Sequence, residues 1–152
     1  MTIAAINEHD LNIINQAKAI IAKYIHTGKK LCSPNDVKDY LILNLGLLDY
    51  EEFCVLYLNN QNQVMIFEEL FRGTINETSV YPREIAKQAL CYNAISVILV
   101  HNHPSGETTP SREDIKLTQQ IEQVLSLIDV KVLDHFVVSK HKIISMKELG
   151  LF

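Results

Sequence analysis

Three features of the sequence predict an α/β fold. Apolar runs short enough to be strands, at residues 53–58, 64–70, 96–100 and 130–139, alternate with segments whose apolar residues recur at helical spacing. A dense group of polar side chains follows directly on one of the apolar runs, where α/β domains tend to display a site. With 152 residues, 47% of them hydrophobic and 21% charged, the chain suits one hydrophobic core and is far from the composition of a disordered polymer.

The elements follow in order. Leu11, Ile14, Ala17, Ile21 and Ile25 mark a first helix, with Asp10 as its expected N-cap and Gly28 as its stop. Ser33 and Pro34 read as N-cap and first position of a second helix through Val37, Tyr40, Leu41 and Leu45, ending near Gly46. Neither helix carries a polar constellation, so both read as packing elements. The run FCVLYL, the turn residues Asn59 to Asn62 and a second extended segment predict a β-hairpin. Pro82 opens a third helix with Ile85, Ala86, Ala89 and Leu90 on one face, and SVILV is a buried strand. Ser111 caps a fourth helix (Ile115, Leu117, Thr118, Ile121, Val124, Leu125), with Glu113 and Asp114 in the first turn where the helix dipole favours negative charge. VKVLDHFVVS and a short strand at 143–144 close the chain.

Composition excludes several function classes. Fourteen Lys and Arg against 18 Asp and Glu leave a net charge of −4, which disfavours a stand-alone nucleic-acid binder. No apolar run approaches the roughly 20 residues of a membrane span, and the first residues carry no leader pattern, so the expected location is the cytoplasm. Cys32, Cys54 and Cys91 show no CxxC pairing and are expected to be buried, reduced thiols.

The chemistry concentrates in HNHPSGETTPSRED, residues 101–114. His101 and His103 sit one residue apart at a strand end and so project to the same side, where they can share an ion. Asp114, in the first turn of the next helix, can fold back to supply a carboxylate. Two imidazoles and one carboxylate leave a tetrahedral zinc with an open position, the hallmark of a catalytic rather than a structural site. Pro104 and Gly106 turn the intervening loop. Ser111 is placed either to cap its helix or to donate to a developing oxyanion, and one serine can do both.

This segment resembles the JAMM (MPN-type) metalloprotease motif, H-x-H-P-x-G followed by S-x-x-D. The flanking FEELFRGTINETSVYPREI and LDHFVVS resemble the bacterial RadC family, also called UPF0758, and the resemblance spans roughly residues 50–150. It implies a three-layer fold like that of the cytidine deaminases, with a mixed central β-sheet flanked by helices. It also implies one zinc ion per chain, held by His101, His103 and Asp114, and a metallopeptidase or isopeptidase acting on a peptide or modified protein. On this view residues 1–152 form one domain, with 1–48 a helical lead-in and 50–150 the catalytic core.

The family pattern further requires a glutamate, just ahead of an apolar strand, to handle the proton of an attacking water. Glu51 fits this register best. Glu52 would face the other way if the strand has begun, and Glu68 and Glu69 lie at the end of the second strand.

The alternative function is an accessory module in DNA repair or recombination with a structural zinc site. Longer RadC relatives carry an N-terminal helix-hairpin-helix segment, for which the stretch before residue 50 leaves no room, so direct DNA contact is disfavoured. His-Asn-His is shared in letters alone with the HNH nucleases, whose residues are dispersed, and deaminase chemistry needs H-x-E with P-C-x-x-C, which is missing here.

The remaining polar residues take plainer roles. Arg83 and Glu84 read as a helix-opening ion pair or a groove lining, Asp134 and His135 as a partly buried polar pair or as support behind the metal ligands, and Arg72-Gly73-Thr74 as a turn. His9, His26 and His141 read as solvated. Exposed edges around VLYLN and VKVLDHF offer pairing between chains.

Overall fold

A computed structural model describes residues 6–26, 34–73 and 79–152. The elements run α1 (Glu8–His26), α2 (Pro34–Leu45), β1 (Glu52–Leu58), β2 (Val64–Arg72), α3 (Pro82–Cys91), β3 (Ser96–Asn102), α4 (Arg112–Ser126), β4 (Lys131–Val138) and β5 (Ile143–Ser145). The five strands make one mixed sheet in the order β2-β1-β3-β4-β5. The β1–β2 hairpin and the β1–β3 and β4–β5 pairs are antiparallel, whereas β3 and β4, joined through α4, are parallel. The predicted fold class is the observed one.

Two cores lie on opposite faces of the sheet, because side chains alternate along each strand. Phe53, Val55 and Tyr57 of β1 pack with Ile85 and Ala89 of α3 and Ile121 and Leu125 of α4. Cys54, Leu56 and Leu58 pack with Tyr40, Leu41 and Leu45 of α2. The result is helix, sheet, helix in three layers, with β1 buried along its whole length. That double burial explains why FCVLYL is apolar without alternation.

Several local expectations need correction. The N-cap of α1 is Asn7 rather than Asp10: the helix begins at Glu8, and the Asn7 Oδ1 accepts the Asp10 N–H at 2.8 Å. Aspartate inside a first turn is favoured by the dipole, so either residue satisfied the same sequence rule. Leu90 is 61% exposed, because α3 turns only Ile85 and Ala89 fully inward. Cys54 is buried, but Cys91 is exposed. Arg72 ends β2 instead of opening a turn, stacking its guanidinium over the Tyr50 ring at 4.0 Å. VLYLN is not an edge, because β1 is paired with β2 on one side and β3 on the other; β4 is covered by β5 only from Phe136 to Val138, so residues 131–134 of VKVLDHF pair with β3 alone. Gly28, Cys32, Ser33 and Thr74 lie outside the described residues, and so does the side chain of His26.

Gly46, directly after α2, marks a close approach. A methyl group there would sit 2.6 Å from the Ile42 carbonyl oxygen and 2.9 Å from that of Ser139, so only glycine lets α2 end against the β4–β5 turn. Among the described residues no helix is long and apolar enough to cross a membrane.

Candidate metal centre

β3 delivers the two histidines. Its parallel pairing with β4 continues past the strand end, where the His103 N–H donates to the Val138 carbonyl at 2.8 Å. His101 is 7% exposed and lies parallel to the Phe53 ring, 6.2 Å between centroids. The loop then turns through Gly106, whose φ of +89° is a left-handed conformation that glycine adopts without strain. The Glu107 carboxylate accepts from the Thr109 N–H at 2.9 Å and its hydroxyl at 2.7 Å, closing the loop on itself. His103 Nδ1 faces the Glu107 carbonyl at 2.7 Å. A carbonyl only accepts, so this ring carries its proton on Nδ1 and turns Nε2 inward.

α4 delivers Asp114 through a capping box. Ser111 Oγ accepts from the Asp114 N–H at 3.0 Å, and Asp114 Oδ2 accepts from the Ser111 N–H at 2.7 Å. Capping fixes the carboxylate's orientation as well as the helix start, and it leaves the Ser111 hydroxyl proton available to donate outward.

These elements bring three side chains together, two imidazole nitrogens and both oxygens of one carboxylate. His101 Nε2 lies 2.9 Å from His103 Nε2, Asp114 Oδ1 is 3.4 Å from His101 Nε2, and Asp114 Oδ2 is 3.5 Å from His103 Nε2. A tetrahedral ion with bonds of about 2.05 Å has edges of about 3.3 Å between its ligands, so the spacing fits zinc. Among the described residues this is the one cluster of histidine, cysteine and acidic groups tight enough to hold a metal ion. Electrostatics agree. Burial pushes the Asp114 carboxyl up, but its contacts with the His101 and His103 rings and the hydrogen bond from the Ser111 N–H outweigh it and hold the group well below the usual carboxylate range. The Asp114 carboxylate in turn raises the His103 pKa, with smaller contributions from the Glu107 carbonyl and the charge of Glu51.

The four candidate glutamates separate by face. Glu51 immediately precedes β1, and its charge acts on His103. Glu52 is buried on the opposite side of the sheet beside Cys54, where burial and the charge of Glu69 raise its pKa. Glu69 also belongs to that side. Glu68 accepts from the Tyr92 hydroxyl at 3.2 Å. Of the four, Glu51 is the one whose charge raises the His103 pKa.

Asn102 and Thr118 escaped sequence reasoning at this site, and His135 takes the supporting role that the sequence offered as its alternative. Asn102, the residue between the ligand histidines, is 1% exposed; its Oδ1 accepts the Glu52 N–H at 2.7 Å and its Nδ2 donates to the Tyr50 carbonyl at 2.9 Å. It therefore grips the backbone on both sides of Glu51. His135 is fully buried rather than partly so, and its Nε2 meets His101 Nδ1 at 2.8 Å. Thr118 is equally buried, and its Oγ1 meets His135 Nδ1 at 2.6 Å. A histidine inside an otherwise apolar strand was the available signal, since burying it costs free energy unless both nitrogens find partners. Arg83 and Glu84 form the exposed helix-opening pair, 3.1 Å apart, and His9 and His141 are exposed.

Comparison with known proteins identifies the family. The RadC-like JAB domain family matches residues 31–151. A UPF0758 protein of Polaromonas is 49% identical over 139 residues, covering 91% of this chain and 62% of its own length. UPF0758 protein YkfG of Escherichia coli is 49% identical over 143 residues, covering 93% of this chain and 90% of its own. Another from Methylibium petroleiphilum is 55% identical, with 91% and 63% covered. The chain thus spans a little over three fifths of some curated relatives and nine tenths of another.

Proposed function

The chain belongs to the RadC-like JAB domain family, and from that premise we propose that it is a zinc-dependent hydrolase cleaving an amide bond in a peptide or modified protein. One observation carries the reading. Two imidazole nitrogens and one carboxylate converge at 2.9 to 3.5 Å, near the edges of a tetrahedron, and among the described residues no fourth histidine, cysteine or acidic group joins the cluster. His101, His103 and Asp114 would hold the ion. When bound, zinc supplies a Lewis acid that polarises the scissile carbonyl and acidifies a water.

The chain's own residues supply the rest. Glu51, held by the Asn102 clamp beside His103, accepts the proton of the attacking water and returns it to the leaving amine. Ser111 spends its Oγ lone pair on the Asp114 N–H, so its hydroxyl proton is directed to the oxygen of the tetrahedral species. The loop strapped by Glu107 and Thr109 keeps His103 oriented throughout.

Elemental analysis of the purified protein, followed by a peptide and isopeptide cleavage screen, tests the proposal. The expected result is one zinc per chain, lost in His103→Ala, with cleavage abolished by chelator. Glu51→Gln should keep the zinc and lose the cleavage. A protein without stoichiometric zinc sinks the reading. Zinc without cleavage, joined to a salt-dependent shift of labelled DNA, would favour the accessory module with a structural ion.

A further inference from the structure

Behind the converging ligand atoms the interior is polar, at a depth where a sheet packed on a helix normally presents only apolar groups. His135 of β4 and Thr118 of α4 are both fully buried there. Three contacts run in series: His101 Nδ1 to His135 Nε2 at 2.8 Å, His135 Nδ1 to Thr118 Oγ1 at 2.6 Å, and Thr118 Oγ1 to the Asp114 carbonyl oxygen at 2.6 Å.

The last link fixes the direction of every proton. Two oxygens 2.6 Å apart are held by a proton between them, and a backbone carbonyl has none to give. The Thr118 hydroxyl therefore donates to the Asp114 carbonyl, a contact that a threonine four residues along a helix readily makes. Met146 Sδ, 3.9 Å away, is too distant and too weak an acceptor to compete for that proton. Only lone pairs of Oγ1 remain to face His135, so His135 carries its proton on Nδ1. Its Nε2 is then an acceptor, and His101 Nδ1 must be the donor that meets it. His101 is left with a bare Nε2 lone pair aimed at His103 and Asp114.

We infer that Thr118 and His135 are positioning residues that set the tautomer of His101 and lock it to the helix carrying Asp114 before any ion arrives. This rests on the assignment of His101 as a metal ligand under the proposed function, and deepens it. The series starts on a ligand of β3, crosses β4, and returns through α4 to the backbone of Asp114 itself. Two ligands from separate elements are thereby joined by a closed path of hydrogen bonds. His103 independently keeps a proton on Nδ1 against the Glu107 carbonyl, and before an ion arrives the 2.9 Å between the two Nε2 atoms is bridged by a proton on His103 Nε2, which the bare Nε2 of His101 accepts. Partners of this kind orient ligands and raise their basicity, and losing one typically costs about ten- to a hundredfold in metal affinity.

Thr118→Val keeps the shape and removes the hydroxyl, while Thr118→Ser keeps the hydroxyl and removes a methyl. Zinc affinity, read by competition with a chromogenic chelator, is expected to fall about ten- to a hundredfold in the valine variant and to stay near wild type in the serine variant. Nitrogen-15 NMR of the metal-free protein gives a second reading that involves no activity. His101 should be the Nδ1–H tautomer in wild type and Thr118→Ser, and a mixture of tautomers in Thr118→Val. Equal zinc affinity in the valine and wild-type proteins overturns the inference, as does an Nε2–H His101 in the metal-free wild type. Wild-type protein with His101 in the Nδ1–H form but no affinity for zinc would refute the proposed function and leave the positioning role standing.

Discussion

Replacing Asn102 with alanine should remove the clamp around Glu51 without touching a ligand. The side chain is 1% exposed and makes two hydrogen bonds, accepting from the Glu52 N–H at 2.7 Å and donating to the Tyr50 carbonyl at 2.9 Å. Each buried backbone group left without its partner costs about 1–3 kcal/mol. Glu52 is itself buried, so its N–H bears the full cost, whereas the half-exposed Tyr50 is within reach of water and bears the lower end. The sum is about 2–4 kcal/mol, a large fraction of the roughly 5–15 kcal/mol that holds a domain folded. Urea unfolding followed by circular dichroism, with the slope m unchanged, reads this directly. Zinc affinity should change much less, because His101 and His103 keep their own partners, while cleavage falls as Glu51 loosens. A stability loss under about 0.5 kcal/mol, typical of a surface substitution, would refute the reasoning.

Other outcomes follow from the same geometry. Burial holds the His135 pKa well below 6.5, so the unfolded chain takes up that proton first. Stability of the metal-free protein should therefore fall as pH drops below about 6.5, with a slope approaching about 1.4 kcal/mol per pH unit. His103 acts oppositely: Asp114 raises its pKa above 6.5, so its contribution is complete below 6.5 and is lost as pH rises through the folded value. Urea midpoints measured from pH 5 to 8 should accordingly peak near the unperturbed histidine pKa of about 6.5. Ser111→Ala should cost about 0.5–2 kcal/mol through the lost cap and weaken zinc binding, since Asp114 loses its orienting partner; an unchanged urea midpoint contradicts this. Gly46→Ala should destabilise by about 1–3 kcal/mol, because the added methyl meets two carbonyl oxygens, and equal thermal stability would contradict that close approach. Zinc in hundredfold excess over its dissociation constant should stabilise the protein by about 2.7 kcal/mol, an effect abolished by chelator in a thermal melt.

Much of this was written locally in the chain. The α/β class followed from the periodicity of its segments, and the double burial of β1 was visible in an apolar run that does not alternate. HNHPSG, Ser111 and Asp114 lie within fourteen consecutive residues, and strand parity plus a capping box are short-range rules. Their convergence on one point is therefore legible before any fold is known. The choice among four glutamates was not, because it turns on which face each occupies once β1 pairs with β2 and β3.

Tertiary structure decided what depends on contacts between distant segments. Asn102 meets Tyr50 and Glu52 across about fifty residues, and His135 meets His101 across 34. No periodicity encodes such a pair, since it exists only after β3 is flanked by β1 on one side and β4 on the other. For the same reason VLYLN reads as a free edge in the sequence, yet lies inside the sheet between β2 and β3. A strand's own residues specify which face is buried, whereas strand order is fixed by the loops and helices that carry the chain from one strand to the next. The sequence by itself determined which three side chains can converge on one ion; the sheet order determined which side chains stand behind them.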